Sequence, residues 1–148
     1  MNTKRKIIVL FATAVLLTSF STAFAGGDGS SSKPYQISTC QQLQDMQNNL
    51  SANYELVSDV DCSSYSGFSS VGDSGNQFTG VLDGQGHTVS GLTINEGSSD
   101  HVGLIGYMGS SSVVKNIGVV NVDITGSTNV GGLIGYNEGS VSNSFSTG

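Results

Sequence analysis

The sequence predicts an all-β chain wound as a right-handed parallel β-helix, a solenoid of about three to four rungs, with one short capping α-helix near its N-terminus. Three observations carry this. The string Gly-Leu-Ile-Gly-Tyr occurs at 103–107 and again at 132–136, and self-similarity at a period of tens of residues marks repeat architectures. From Tyr54 onward apolar and polar residues alternate with period two, the pattern of strands. Finally, 21 glycines and no tryptophan leave too few large side chains for a thick core. A unit of two or three short strands with glycine-rich corners buries its apolar face only by stacking on copies of itself. Right-handed coiling is expected because parallel strands joined by crossovers are overwhelmingly right-handed.

Taken in order, Lys4, Arg5 and Lys6 precede an apolar run at 7–20, followed by Ala23, Phe24 and Ala25. A basic start, an apolar stretch shorter than a bilayer span and a small-x-small site read as a secretory signal peptide over 1–25, cleaved before Gly26. Its removal leaves Lys33 and Lys115 against all eleven acidic residues, with no arginine. Such a surface lacks the cations that neutralise phosphate or anionic lipid, so nucleic acid and acidic membranes are excluded as partners. No second apolar stretch provides a transmembrane span in the mature chain.

Residues 26–34 have the composition of a flexible leader. One domain is expected over 35–148. Thr39 and Gln42 form a capping box, and Cys40, Leu43, Met46 and Leu50 recur at helical spacing, which places the helix cap at about 39–50. Rungs then occupy 54–148. Tyr54, Leu56, Val60 and Cys62 fall on one strand face, with Glu55, Asp59 and Asp61 on the other. The repeats divide the chain at 54–77, 78–101, 102–129 and 130–148. In that division Phe78, Val102 and Val130 stack in successive rungs, as do Val89, Val114 and Val141. Asn116 and Asn143 take equivalent corners, where amide side chains bond between rungs, and the glycines serve corners of positive φ.

Gly103-Leu104-Ile105-Gly106 and Gly132-Leu133-Ile134-Gly135 resemble the GLUG motif, glycine-leucine-hydrophobic-glycine, of bacterial secreted and surface proteins. The stretch upstream, including the Leu43 helix and the run from 78 to 87, also looks like what precedes such motifs. The resemblance implies a parallel β-helix of the kind found in adhesin-like proteins and in non-catalytic regions of immunoglobulin A-cleaving metallopeptidases. It implies no defined activity.

Candidate chemistry is sparse. Asp59 and Asp61, two apart on a strand, are weak candidates for an acid and base acting on a neutral glycan, or with Asp73 for calcium ligands. The run 83–87, Asp-Gly-Gln-Gly-His, reads as a tight corner. His87 and His101 show no zinc spacing, and no serine sits in a nucleophile elbow. No metal or cofactor is expected. Tyr107 and Tyr136 share a repeat position and are candidate ligand contacts, an aromatic platform for a sugar, or rung residues packing on each other. Cys40 and Cys62 are an even pair in an exported chain, so a disulfide is expected, pinning the helix over the open end of the solenoid.

The function expected is therefore a secreted or cell-surface β-helix module for adhesion, binding or structural display, its partner an extracellular protein or glycan. The alternatives are a glycan-active enzyme and a non-catalytic fragment of a larger surface protease. Because the last rung is short and uncapped, self-association through the C-terminal end is a further expectation.

Overall fold

A computed structural model describes residues 23–148. Most of the expected signal peptide lies outside the described residues. Those described at its end are packed: Phe24 stacks on Tyr35 with centroids 4.5 Å apart, and the Ala25 N–H donates to the Gln36 carbonyl. Residues 26–34, expected as a leader, carry hydrogen bonds of their own. Gly26 bridges Gln36, Ser30 bridges Lys33, and the Asn53 N–H donates to the Gly29 carbonyl.

The chain then coils. Strand β1 (Tyr35–Ile37) leads into helix α1 (Cys40–Asp45), continued by a 3-10 turn at Met46–Asn48. A first turn of the coil supplies β2 (Asn53–Leu56) and β3 (Val60–Asp61). The second supplies β4 (Val81–Asp83), β5 (Thr88–Ser90), β6 (Thr93–Asn95), β7 (Asp100–Val102) and β8 (Ile105–Met108). In the third lie β9 (Val113–Lys115), β10 (Gly118–Val120), β11 (Asp123–Thr125), β12 (Thr128–Val130) and β13 (Ile134–Asn137), followed by β14 (Ser140–Ser142) and β15 (Phe145–Ser146). Strands of successive turns pair in parallel, giving sheets β1-β2-β4-β9-β14 and β3-β5-β10-β15 and the pairs β6-β11, β7-β12 and β8-β13. The described residues form a β-solenoid of about three turns with one short helix near its N-terminal end.

The interior is a set of ladders of like residues about 4.8 Å apart. Tyr54, Leu82, Val114 and Val141 align in the first sheet, and Val60, Val89 and Val119 in the second. Ile94 faces Ile124, Val102 faces Val130 and Ile105 faces Ile134. Most of these side chains are fully buried through the second turn. Each such burial contributes roughly 1.5–3 kcal/mol, which is how short strands with small side chains hold together.

Two stacking expectations are corrected here. Val89 aligns with Val119 rather than Val114, and Phe78 bridges Met108 rather than stacking on Val102. Both slips come from the corners. Val89-Ser90-Gly91-Leu92 and Val119-Val120-Asn121-Val122 turn the chain from the second sheet to the third wall, whereas Val114-Lys115-Asn116-Ile117 turns it from the first to the second. Similar strings thus serve two corners in each turn. The corners also depend on asparagine as much as glycine: Asn116, Asn121, Asn129 and Asn143 all have φ near +50°, as do Gln85 and His101. Asparagine tolerates this region better than other residues with a β-carbon.

The capping box forms as expected. Thr39 Oγ1 accepts the Gln42 N–H at 3.3 Å, while Gln42 Oε1 reaches one residue further back than the motif requires, to the Ser38 N–H at 2.8 Å. Cys40, Leu43 and Met46 are buried against the first turn. The Cys40–Cys62 disulfide, with Cα atoms 5.2 Å apart, ties α1 to the end of β3.

Candidate functional site

The repeated glycine-leucine-isoleucine-glycine strings fold as they do because each places two apolar residues inward and a glycine where the wall turns sharply. Leu104 and Ile105 are fully buried and Leu133 nearly so. At Gly106 a β-carbon would sit 2.4 Å from the Gly72 carbonyl oxygen and 2.6 Å from that of His101. At Gly135 one would sit 2.6 Å from main-chain atoms of His101 and Val102. Only glycine permits that approach. It presses β8 and β13 against the corners at His101 and Asn129, both left-handed.

The tyrosine after each motif emerges at this corner. Tyr107 and Tyr136 pair in register, with ring centroids 4.7 Å apart, and His101 lies edge-on to both at 5.2 Å. The Tyr107 hydroxyl donates to Glu138 Oε1 at 3.0 Å. Burial beneath its neighbours, with that bond and the Glu138 charge, pushes the Tyr107 phenol up. Next to His101 in β7, the Asp100 carboxyl lies below its usual range, chiefly through the Thr128 side chain. Tyr136 keeps 37% of its surface exposed. The result is a three-ring ledge with the Glu138 carboxylate at its margin. His101 and Glu138 were not singled out as ligand contacts by the sequence. The signal for His101 was its place two residues before the first motif.

Asp61 ends β3 and Asp59 stands just before it, and each carboxylate is held by a main-chain donor. Asp59 Oδ1 accepts the Thr88 N–H at 2.8 Å and lies 3.3 Å from His87 Nδ1, and Asp61 Oδ1 accepts the Ser63 N–H at 2.9 Å. Those backbone donors hold both carboxyls below the ordinary range. Asp73 caps its own turn, accepting the N–H groups of Gly75 and Asn76. Asp83 joins an interturn ladder: Asn116 Nδ2 donates to Asp83 Oδ1 at 3.0 Å and Asn143 Nδ2 to Asn116 Oδ1 at 3.2 Å, with Lys115 Nζ 3.1 Å from Asp83 Oδ2.

Residues 126–148 match the GLUG motif family, a stretch that contains the second copy of the string, and β8 pairs the first copy to it residue for residue. The chain is 36% identical over 139 residues to halomucin of Haloquadratum walsbyi and 34% identical over 133 residues to a protein of Evansella cellulosilytica described as a Gly-rich membrane protein. These alignments cover 86% and 83% of this chain but only 2% and 15% of the relatives. The fold is similar, with a TM-score of 0.66 and 21% identity, to a crystal structure from Bacteroides ovatus assigned as an immunoglobulin A1 protease, over 85% of this chain and 41% of that one. At that identity the likeness is one of fold.

Proposed function

We propose that this chain is a non-catalytic module displayed outside the cytoplasm, and that it binds a neutral glycan on the ledge of His101, Tyr107 and Tyr136. The observation that carries the reading is the ledge itself: aromatic rings repeated at one position in successive turns, partly exposed and edged by the Glu138 carboxylate. Amphipathic rings of this kind offer an apolar face to the less polar side of a sugar while neighbouring groups meet its hydroxyls. Display outside the cytoplasm is supported by the disulfide, by the export pattern over 1–25 and by the description of one relative as a membrane protein.

A glycan array with the purified chain tests the binding. Tyr136→Ala is expected to abolish the signal without lowering the melting temperature by more than a few degrees, since the ring lies at the surface. Binding unchanged in Tyr136→Ala and His101→Ala, or no binding to any neutral glycan, would remove the ledge from consideration. N-terminal sequencing of protein recovered from outside the cell tests export, with Gly26 as the expected first residue.

Self-association is a second proposal, supported by one observation. Val130 and Val141 are 44% and 39% exposed, at ladder positions in register with buried Val102 and Val114, where the inward ladders meet no following strand among the described residues.

A further inference from the structure

The second turn of the solenoid has five strands, and the first has only β2 and β3 with bridges at Val71 and Phe78. Between residues 62 and 71 the chain leaves the wall, so among the described residues β6 is paired with β11 on one side alone. The direction of its main-chain groups follows from the ladder. The Asp123 N–H donates to the Leu92 carbonyl and the Glu96 N–H to the Thr125 carbonyl, both at 2.9 Å. Alternate residues of a strand aim their groups to the same side. Ile94 therefore faces β11, and the N–H and C=O of Thr93 and Asn95 face the other way. Those four groups have no hydrogen-bond partner among the described residues.

They do not lie on a flat edge. Residues 65–69 stand opposite them, enclosing with Thr93, Asn95 and Glu96 a groove of about 450 Å³. The far wall is fixed rather than loose. Phe68 is buried, edge-on to Tyr65 at 6.1 Å. The Tyr65 hydroxyl donates to Gln41, Ser69 is bonded twice to the Gln44 side chain, and the Ser70 hydroxyl donates to Glu96 Oε2 at 2.7 Å. This arrangement keeps the loop from closing onto β6.

We propose that the groove receives an extended, basic peptide segment of another protein, added as a strand to the free edge of β6. Two donors and two acceptors alternating along an edge are the complement of an extended backbone, and strand addition draws its affinity from those bonds. Tyr65 offers the apolar wall for a β-branched side chain. Charge selects the rest: Glu96 lies in the groove, Asp123 is in register with Thr93, and past residue 25 the chain holds eleven acidic residues against two lysines. Lysine or arginine flanking the inserted residues fits this surface.

Hydrogen exchange followed by NMR on the labelled chain tests this, using an eight-residue peptide that alternates threonine and valine between terminal lysines. In the free chain the amides of Thr93 and Asn95 are expected to exchange at least tenfold faster than that of Ile94, and the peptide to slow them at least tenfold. The same peptide with alternate amides N-methylated is expected to do nothing. Thr93→Pro removes one groove donor while leaving the β6-β11 bonds, a change tolerated on strand edges, and should weaken the peptide at least tenfold. Ser66→Trp, which fills the groove from the exposed wall, serves if the proline variant does not fold. Amides of Thr93 and Asn95 already as protected as Ile94 in the free chain would overturn the proposal. So would peptide binding that survives N-methylation, or protection that grows with protein concentration alone, which assigns the edge to a second copy.

Discussion

At Gly106 a side chain has nowhere to go, because the two nearest groups are main-chain carbonyls of Gly72 and His101 rather than movable side chains. Gly106→Ala is therefore expected to cost about 1–3 kcal/mol, the range for overpacking, as a lower midpoint in chemical denaturation. A variant as stable as the parent would show that the second glycine of the motif is not required sterically. Asp83 makes a different demand. Burial raises its carboxyl, but the Gln85 N–H, the Asn116 amide and Lys115 more than offset this and hold it low. A carboxyl whose folded pKa is depressed contributes stability that is present above its unfolded value, near 3.9, and is lost as pH falls through the folded pKa. Asp83→Ala is expected to destabilise by about 1–3 kcal/mol at pH 7, and the gap from the parent to narrow steadily below about pH 4. Denaturation at pH 7 and pH 3 measures both; a gap that stays constant would mean the ladder acts by packing and not by charge.

The N-terminal cap works through glutamines. Gln41, Gln44 and Gln47 lie three apart on α1 and the turn after it, and their side chains meet Tyr65, Ser69 and the Gly72 N–H, substituting for the strand the first turn lacks. The helix and its capping box were legible because Thr39 and Gln42 have local partners and Cys40, Leu43 and Met46 mark one face. The glutamine contacts were not, since each depends on a loop about 25 residues away in sequence. The disulfide adds a covalent tie between the same two parts. Closing 22 residues is worth on the order of 3 kcal/mol in the chain-entropy model, so reduction is expected to lower the melting temperature by on the order of 10 °C. Two titratable thiols in the unreduced, denatured chain would refute the link.

Over the whole molecule, the coil and the alignment of the two Gly-Leu-Ile-Gly-Tyr strings were readable, because identical residues at one wall must stack. The strand register elsewhere was not. Corners of the same left-handed geometry recur within each turn, and two of them select the same short strings, so the match of Val89 to Val114 was as good locally as the correct one to Val119. The open edge at β6 was invisible for a related reason: residues 62–71 carry no pattern that says a strand is missing. The same principle of unpaired ladders governs the far end. Ser140–Ser142 is exposed throughout, β15 pairs only with β10 among the described residues, and Val141, in register with buried Val114, is 39% exposed. Residues in β4 and β5, by contrast, are paired on both sides and surround Leu82 and Val89, which are fully buried. Hydrogen exchange is expected to be slow at β4 and β5, near the global limit, and fast at β14 and β15 in dilute solution. If copies associate through this face, protection at β14 and β15 rises with concentration, and Val141→Ser removes the rise while leaving β4 and β5 unchanged. Uniform protection through Phe145 at every concentration would mean that the exposed ladder ends are held as firmly as the interior, and that the apolar residues there have no associating role.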